Sequence, residues 1–251
     1  MSNSLLTGPP RYVAGGPWPP LLAVVAAVVI QAGLQLAGGV VGTLASAAFA
    51  GVSPDRLSGQ QLLVGLLTFL LLSQVFIIGV TWWAAGLFGG NRREVLQADR
   101  GAPTVGEVVT AVAGLTLVLG IFNALVYLLR PDLFLADMQQ FLPMIQGPFW
   151  PLTALGIGLG APLSEELLFR GFVLSALAQW RFGFWPAALL MNAVWTTFHL
   201  GYSIVGLLEV FIGGAYMSWL LWRSGSIWLP IICHAATNCF FLVILALYSF
   251  R

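Results

Sequence analysis

Three ionisable residues stand close together in a stretch of the chain that is otherwise strongly apolar. Glu165, Glu166 and Arg170 lie within six residues, and leucines, phenylalanines and glycines surround them. An ionised residue at the centre of a membrane helix costs roughly 2.5–3.5 kcal/mol, so three unpaired ones would cost on the order of 8–10 kcal/mol. Such residues persist only if they pair, share protons or face a water-filled cavity, so this segment predicts a functional site.

The spacing of these residues predicts different roles for them. Glu166 and Arg170 are four positions apart and therefore share one face of a helix. Glu165 lies about 100° further round the helix axis. We expect Arg170 to neutralise and orient Glu166, which leaves Glu165 as a general base. A buried ion-pair staple is the alternative, but two adjacent carboxylates exceed what one arginine needs.

A glycine-rich stretch precedes the acids and ends in a proline. Gly156 and Gly160 form a Gly-x-x-x-Gly pair, and Pro162 follows. Small residues permit close helix packing, whereas proline removes a backbone hydrogen bond and can kink a helix. The sequence is compatible with both packing glycines and a kink that admits water.

The two histidines of the chain both fall in apolar segments of its second half. His199 ends a stretch that begins at Trp195, and His234 stands four residues before Asn238, on the same helix face. A lone histidine in a membrane often serves as a hydrogen-bond partner between helices. That interpretation is weaker here, because both histidines fall in the same half of the chain as the glutamates.

Two arrangements of these groups could hydrolyse a bond. In the first, Glu165 and His199 activate a water molecule, while His234 and Asn238 donate hydrogen bonds to an oxyanion. In the second, Glu165, His199 and His234 hold a zinc ion with a bound water. We favour the metal-free arrangement, with no cofactor, because asparagine is a poor zinc ligand and the His-Glu-x-x-His motif is absent.

The composition indicates what kind of fold must position these residues. Hydrophobic residues make up 59% of the chain and charged residues 8%, with a mean hydropathy of +0.93. Soluble domains carry about 25% charged residues, so much of this surface must face a lipid bilayer. The net charge of +1 gives no electrostatic footprint for nucleic acid, which is therefore not expected as a partner.

Long apolar runs predict an all-α, polytopic transmembrane helical bundle with about seven spans, within a range of six to eight. They cover about 20–50, 61–88, 105–129, 149–180, 184–200, 203–222 and 226–249. We divide the chain into a disordered lead at 1–19, transmembrane helices and loops at 20–148, and a catalytic transmembrane region at 149–250.

The arginines predict an orientation. With seven spans, six of them fall in segments on one side of the membrane: Arg11, Arg92, Arg93, Arg100, Arg181 and Arg223. The positive-inside rule places this side and the N-terminus in the cytoplasm. Arginine without any lysine, together with abundant alanine, glycine and leucine, suits the plasma membrane of a bacterium. The segment 131–148 is either an interfacial helix or a plain loop.

At the reactive positions the sequence resembles the CPBP family of CAAX proteases and bacteriocin-processing enzymes, which includes the type II CAAX prenyl endopeptidases. The family's Glu-Glu-x-x-x-Arg motif corresponds to 165–170, its Phe-x-x-x-His motif to 195–199, and its His-x-x-x-Asn motif to 234–238. The resemblance covers about 150–245. It departs from the family pattern at Trp195, which stands for the usual phenylalanine.

This resemblance implies a helical membrane fold with a conical intramembrane cavity, and hydrolysis of a peptide bond. It implies that Glu165 and His199 activate water, that the third motif forms the oxyanion hole, and that Glu166 and Arg170 support these groups. Substrates would be membrane peptides or lipidated proteins, including prenylated ones. The family includes members named as metalloproteases and members described as glutamate-dependent without metal, so both arrangements stay open.

One alternative function and one unassigned residue accompany this interpretation. A non-catalytic membrane scaffold or transporter could keep the same fold, because intramembrane charges also serve proton relays. Glu209 belongs to no motif that we recognise. It is either a cavity residue or a protonated residue hydrogen-bonded to a neighbouring helix, and we favour the second.

Overall fold

Helices account for nearly all of the secondary structure between residues 5 and 249, the part of the chain that the computed structural model describes. They are α1 Pro20–Ala50, α2 Gly59–Ala85, α3 Arg92–Val95, α4 Val105–Leu129, α5 Leu142–Gln146, α6 Trp150–Leu177, α7 Phe184–Thr197, α8 Ile204–Ser224 and α9 Trp228–Ser249. Three short 3-10 turns lie between them, at Pro54–Arg56, Leu87–Gly89 and Ala136–Phe141. Residues 5–249 contain no strand, which confirms the all-α class.

Six helices are long and apolar enough to cross a membrane, namely α1, α2, α4, α6, α8 and α9. They confirm a polytopic bundle within the predicted range of six to eight spans. Their outward faces carry exposed apolar side chains, such as Leu117 at 64% and Leu128 at 75%. The run at 184–200 contains only the 14-residue α7, which is about 21 Å long against a hydrocarbon core of roughly 30 Å.

Local signals in the sequence fix where several long helices begin and end. Ser58 and Thr104 each form a capping box with the residue three positions later, at the starts of α2 and α4. Ser203 caps α8 by accepting from a backbone N–H of its first turn. Gly225 ends α8 with a φ of 65°, a left-handed conformation that glycine adopts without strain.

Helix α6, which carries the acidic motif, lies at the centre of the bundle. Every residue from 166 to 177 is buried, and the helix contacts α1, α2, α7 and α9. Its apolar side chains belong to the main hydrophobic core, and they include Leu168, Phe169, Phe172, Leu174 and Leu177. Four neighbouring helices therefore position the predicted site.

Two wider π-helical turns interrupt α6, at Gly156–Gly160 and Glu166–Val173. Pro162 has no N–H, so the carbonyl four residues earlier lacks its usual intrahelical donor and the turn before the proline is wider. Gly160 allows a close approach of α2, because a Cβ there would lie 1.9 Å from Gln74 Oε1. Close packing and a distortion beside the proline are therefore both present.

The N-terminal segment differs from the disordered lead that we predicted for 1–19. Leu5 and Trp18 are buried, with exposed fractions of 3% and 8%. Trp18 Nε1 donates to the Ala84 carbonyl at 2.9 Å. These few buried apolar residues attach residues 5–19 to the bundle. The high proline and glycine content of the segment had indicated disorder instead. Residues 1–4 lie outside the described part of the chain.

Several of the predicted arginines lie at one end of the bundle. The backbone N–H of Arg11 donates to the Trp222 carbonyl at 3.2 Å, and Arg223 Nε donates to the Leu5 carbonyl. The guanidinium of Arg100 lies close to Gly225 at the end of α8. This agrees with the predicted grouping, while the side of the membrane that this end faces stays a prediction.

The segment 131–148 is neither a continuous interfacial helix nor a plain loop. It consists of the 3-10 turn Ala136–Phe141 followed by the five-residue α5. Asp137 fastens it to the start of α8, because the backbone N–H and the hydroxyl of Ser203 each donate to its carboxylate at 2.7 Å. The segment thereby covers part of the space between the helices.

Candidate active site

Four of the six predicted site residues line one cavity of about 380 Å³ inside the bundle. Glu165 comes from α6, His199 from the turn after α7, and His234 and Asn238 from α9. The rest of the lining is largely apolar and comes mainly from α4, α8, α9 and the segment 131–148. A few polar groups that converge in an apolar cavity are typical of a ligand-binding site.

Glu166 and Arg170 are sealed behind this cavity, and both side chains are fully buried. Arg170 Nη1 lies 3.2 Å from Glu166 Oε1, so the predicted pair between positions i and i+4 is present. The same oxygen lies 2.8 Å from Nδ1 of His234. Because a carboxylate only accepts, Nδ1 carries a proton. The buried ion pair therefore orients a histidine of the cavity wall.

Asn192, which belongs to none of the three motifs, completes this network. Its Oδ1 accepts from Arg170 Nη2 at 3.0 Å, and its Nδ2 donates to the Phe211 carbonyl at 2.7 Å. The Arg170 guanidinium also lies 4.1 Å from the centroid of the Trp195 ring, a favourable cation–π contact. A signal was available, because Asn192 is polar within an apolar helix and precedes Trp195 by three positions.

Trp195 links the two residues that we predict to activate water. Its Nε1 donates to Glu165 Oε2 at 2.7 Å, and its carbonyl oxygen lies 3.3 Å from His199 Nδ1. A carbonyl only accepts, so His199 Nδ1 carries a proton and Nε2 is its free acceptor. No hydrogen bond joins Glu165 directly to His199 among residues 5–249. The tryptophan is therefore a hydrogen-bond donor to the site as well as an aromatic wall.

His234 and Asn238, the predicted oxyanion donors, each also have a partner within the protein. His234 is tied to Glu166, and Asn238 Nδ2 donates at 2.8 Å to the carbonyl of Ile157, within the first π-helical turn of α6. Both side chains nevertheless line the cavity. Nε2 of His234 and the second amide hydrogen of Asn238 remain able to contact a ligand.

The three residues considered as zinc ligands are Glu165, His199 and His234. Within residues 5–249, no group of three or more His, Cys, Asp or Glu side chains is placed to hold a metal ion. Their hydrogen bonds use Glu165 Oε2 and His234 Nδ1, so Glu165 Oε1 and His234 Nε2 are left to face the cavity. A histidine that donates its other ring N–H to a carboxylate is also common among metal ligands, and the metal-free arrangement therefore stays a prediction.

Glu209 is a cavity residue and is also hydrogen-bonded to a neighbouring helix, so these two features of the sequence alternatives do not exclude each other. It lines the cavity, and its Oε1 accepts from Nδ2 of Asn123 on the neighbouring helix α4 at 2.5 Å. Its protonation stays a prediction. Asn123 also lines the cavity, so an N-terminal helix contributes a polar group to the site.

Fold and site together define a polytopic helical membrane protein with a largely apolar internal cavity and reactive polar groups on its wall. A family model described as Type II CAAX prenyl endopeptidase Rce1-like matches residues 147–240. This match confirms the resemblance that the three motifs indicated. It supports a protease or hydrolase in general and a bilayer environment, and it includes every predicted site residue.

The matched relative is less informative about function. An Escherichia coli protein described as an uncharacterized 24.3 kDa protein is 35% identical over 85 residues. The alignment covers 33% of this chain and 39% of the relative. The relative's description states no activity, so the likeness adds none. No solved structure matches the chain.

Proposed function

We propose that this protein is an intramembrane endopeptidase that hydrolyses a peptide bond of a membrane-associated protein or peptide. The observation that carries the proposal is the convergence of Glu165, His199, His234 and Asn238 on one largely apolar cavity, within the region that matches a protease family. Prenylated CAAX-type proteins and other membrane peptides are the proposed substrate classes. No cofactor is required in this proposal.

The nucleophile in this proposal is water, which Glu165 and His199 activate. Glu165 Oε2 is held by Trp195, so Oε1 is free to accept a hydrogen bond from water. His199 Nε2 is a second acceptor, because Nδ1 faces a carbonyl oxygen. Two acceptors on one cavity wall can bind a water molecule and take its proton as it attacks a carbonyl carbon. The same proton then passes to the leaving amine nitrogen.

His234 and Asn238 stabilise the oxyanion that forms during this attack. Asn238 donates from its free amide hydrogen, and His234 donates from Nε2 when its ring is protonated. The Glu166 carboxylate lies 2.8 Å from the other ring nitrogen and fixes the orientation of the ring. Arg170 and Asn192 hold Glu166 in place from behind.

The proposed setting is the plasma membrane of a bacterium. We place the end of the bundle that carries Arg11, Arg100 and Arg223 in the cytoplasm, because cytoplasmic loops carry the excess of arginine and lysine. The N-terminus then also lies in the cytoplasm. Single cysteines at each end of the bundle, labelled from outside intact cells with a membrane-impermeant reagent, would establish the orientation.

Cleavage of membrane peptides by purified protein tests the proposal. Wild-type protein in proteoliposomes is incubated with a set of fluorogenic transmembrane and prenylated peptides, and products are identified by mass spectrometry. We expect cleavage by wild type and its loss in Glu165→Ala. Full cellular function in Glu165→Ala, together with no cleavage by wild type, would show that the enzyme hypothesis is wrong.

A further inference from the structure

The cavity contains a second polar feature that none of the three motifs includes. Glu209 from α8 and Asn123 from α4 both line it, and they are joined by the hydrogen bond of 2.5 Å between Oε1 and Nδ2. Asn123 Nδ2 also donates to the Leu119 carbonyl at 3.0 Å. These contacts use both hydrogens of the amide, so the asparagine holds the glutamate at a fixed place on the wall.

Two oxygen atoms on this wall of the cavity remain available to a ligand. Both carboxylate oxygens of Asp137, which also lines the cavity, accept from Ser203. Glu209 Oε2 and Asn123 Oδ1, by contrast, accept no hydrogen bond from residues 5–249. The free groups are therefore acceptors, and a ligand that satisfies them must bring hydrogen-bond donors.

The charge of the lining selects among such ligands. None of the cavity-lining residues in the described part of the chain is an arginine or a lysine. Arg170 is fully buried and is bound to Glu166 and Asn192. A cationic group would therefore stabilise the ionised form of Glu209 with no competing cation in the lining, even if Glu209 is protonated without a ligand, whereas an anionic group would meet no positive partner in the lining.

The shape of the lining fits a charged group on a long apolar stem. Most of the other side chains that line the cavity are apolar, and they include Leu119, Val126, Leu133, Met138, Val210 and Met217. Lysine and arginine bury an aliphatic stem along such surfaces while the charged head finds a polar partner. Glu209 Oε2 and Asn123 Oδ1 offer two acceptors to one such head.

We propose that Glu209, positioned by Asn123, determines specificity by binding an arginine or lysine side chain of the peptide substrate within the cavity. This proposal rests on the proposed endopeptidase function. It predicts that the substrate carries a basic residue close to the bond that is cleaved. The remainder of the substrate in the cavity is apolar.

The test compares peptides that differ at one position. Fluorogenic transmembrane peptides carry arginine, lysine, norleucine or glutamate at one position near the cleaved bond, and kcat/KM is measured in proteoliposomes. We expect wild type to favour the basic peptides over the norleucine peptide by about tenfold or more, mostly through KM. Glu209→Gln should lower the ratio of kcat/KM between the basic peptides and the norleucine peptide to about one.

Glu209→Gln is informative because its amide oxygen can still accept from Asn123 Nδ2. The tie between α4 and α8 is therefore retained while the charge is lost. Glu94→Gln, at a position outside the cavity beside Asn91, is the matched control and should behave as wild type. Equal cleavage of all peptides by wild type, or an equal loss for all of them in Glu209→Gln, would overturn the proposal.

A binding measurement separates this proposal from the endopeptidase function. Octylguanidinium and octanoate, which have apolar chains of similar length and opposite charge, are titrated into purified wild type and Glu209→Gln. We expect wild type alone to bind octylguanidinium more tightly than octanoate. Such binding without any peptide cleavage would retain the basic subsite and contradict the endopeptidase. Cleavage without charge preference in either assay would contradict the subsite alone.

Discussion

Separate replacement of Glu166 and Glu165 by glutamine distinguishes their structural and chemical roles, because these adjacent carboxylates have different partners. Glu166→Gln leaves Arg170 as a fully buried cation without its counter-ion. Loss of one partner from a buried ion pair costs about 3–5 kcal/mol. Glu165→Gln retains an oxygen that can accept from Trp195 Nε1, so its free energy of unfolding should change by less than about 1 kcal/mol.

Thermal unfolding in one detergent measures this difference. For a chain of this length, a loss of 3–5 kcal/mol corresponds to a fall of about 6–20 °C in Tm for Glu166→Gln. Glu165→Gln should unfold within about 3 °C of wild type. In the peptide-cleavage assay, Glu165→Gln should lower kcat by about 100-fold or more, the contribution of a general base.

An exposed pair supplies the control for these variants. Arg130 and Asp132 form an ion pair at 2.8 Å with side chains about 60% exposed, and such pairs contribute little to stability. Asp132→Asn should therefore leave Tm unchanged. The reasoning is refuted if Glu166→Gln unfolds at the wild-type temperature, or if Glu165→Gln is the less stable of the two glutamine variants.

Two further predictions concern the helices around the ion pair. Gly214→Ala would place a Cβ 1.9 Å from Asn192 Oδ1, so we expect its free energy of unfolding to fall by about 1–3 kcal/mol. Gly213→Ala, with no neighbour within 4 Å, should be tolerated. Equal Tm values for both variants would contradict the packing. Trp195→Phe removes the N–H that donates to Glu165, so kcat of the folded variant should fall by about tenfold. An unchanged kcat would show that this hydrogen bond has no part in the chemistry.

Interactions within one helix could be predicted from the sequence, because they depend only on helical periodicity. The pair between Glu166 and Arg170 is of this kind, and the structure contains it. The contact between Glu166 and His234 joins residues 68 positions apart. It depends on how α9 is rotated and placed against α6, which the periodicity of either helix does not determine.

The same reason explains why two polar partners were not assigned from the sequence. Asn192 and Asn123 are each surrounded by apolar residues in the sequence. The role of each depends on a hydrogen-bond partner on another helix. The predicted span at 184–200 was longer than α7 for a different reason. Apolar residues continue beyond Thr197 through the turn at 198–202, so hydropathy extended the predicted span past the end of the helix.

The most direct test of the central claim is the cleavage of a transmembrane peptide by purified protein, with and without prior treatment with a strong chelator. The account predicts that chelator-treated wild type cleaves at the untreated rate and that Glu165→Gln is inactive under both conditions. Cleavage by Glu165→Gln at the wild-type rate would contradict the role of Glu165. Activity that disappears with the chelator and returns with zinc would contradict the metal-free mechanism.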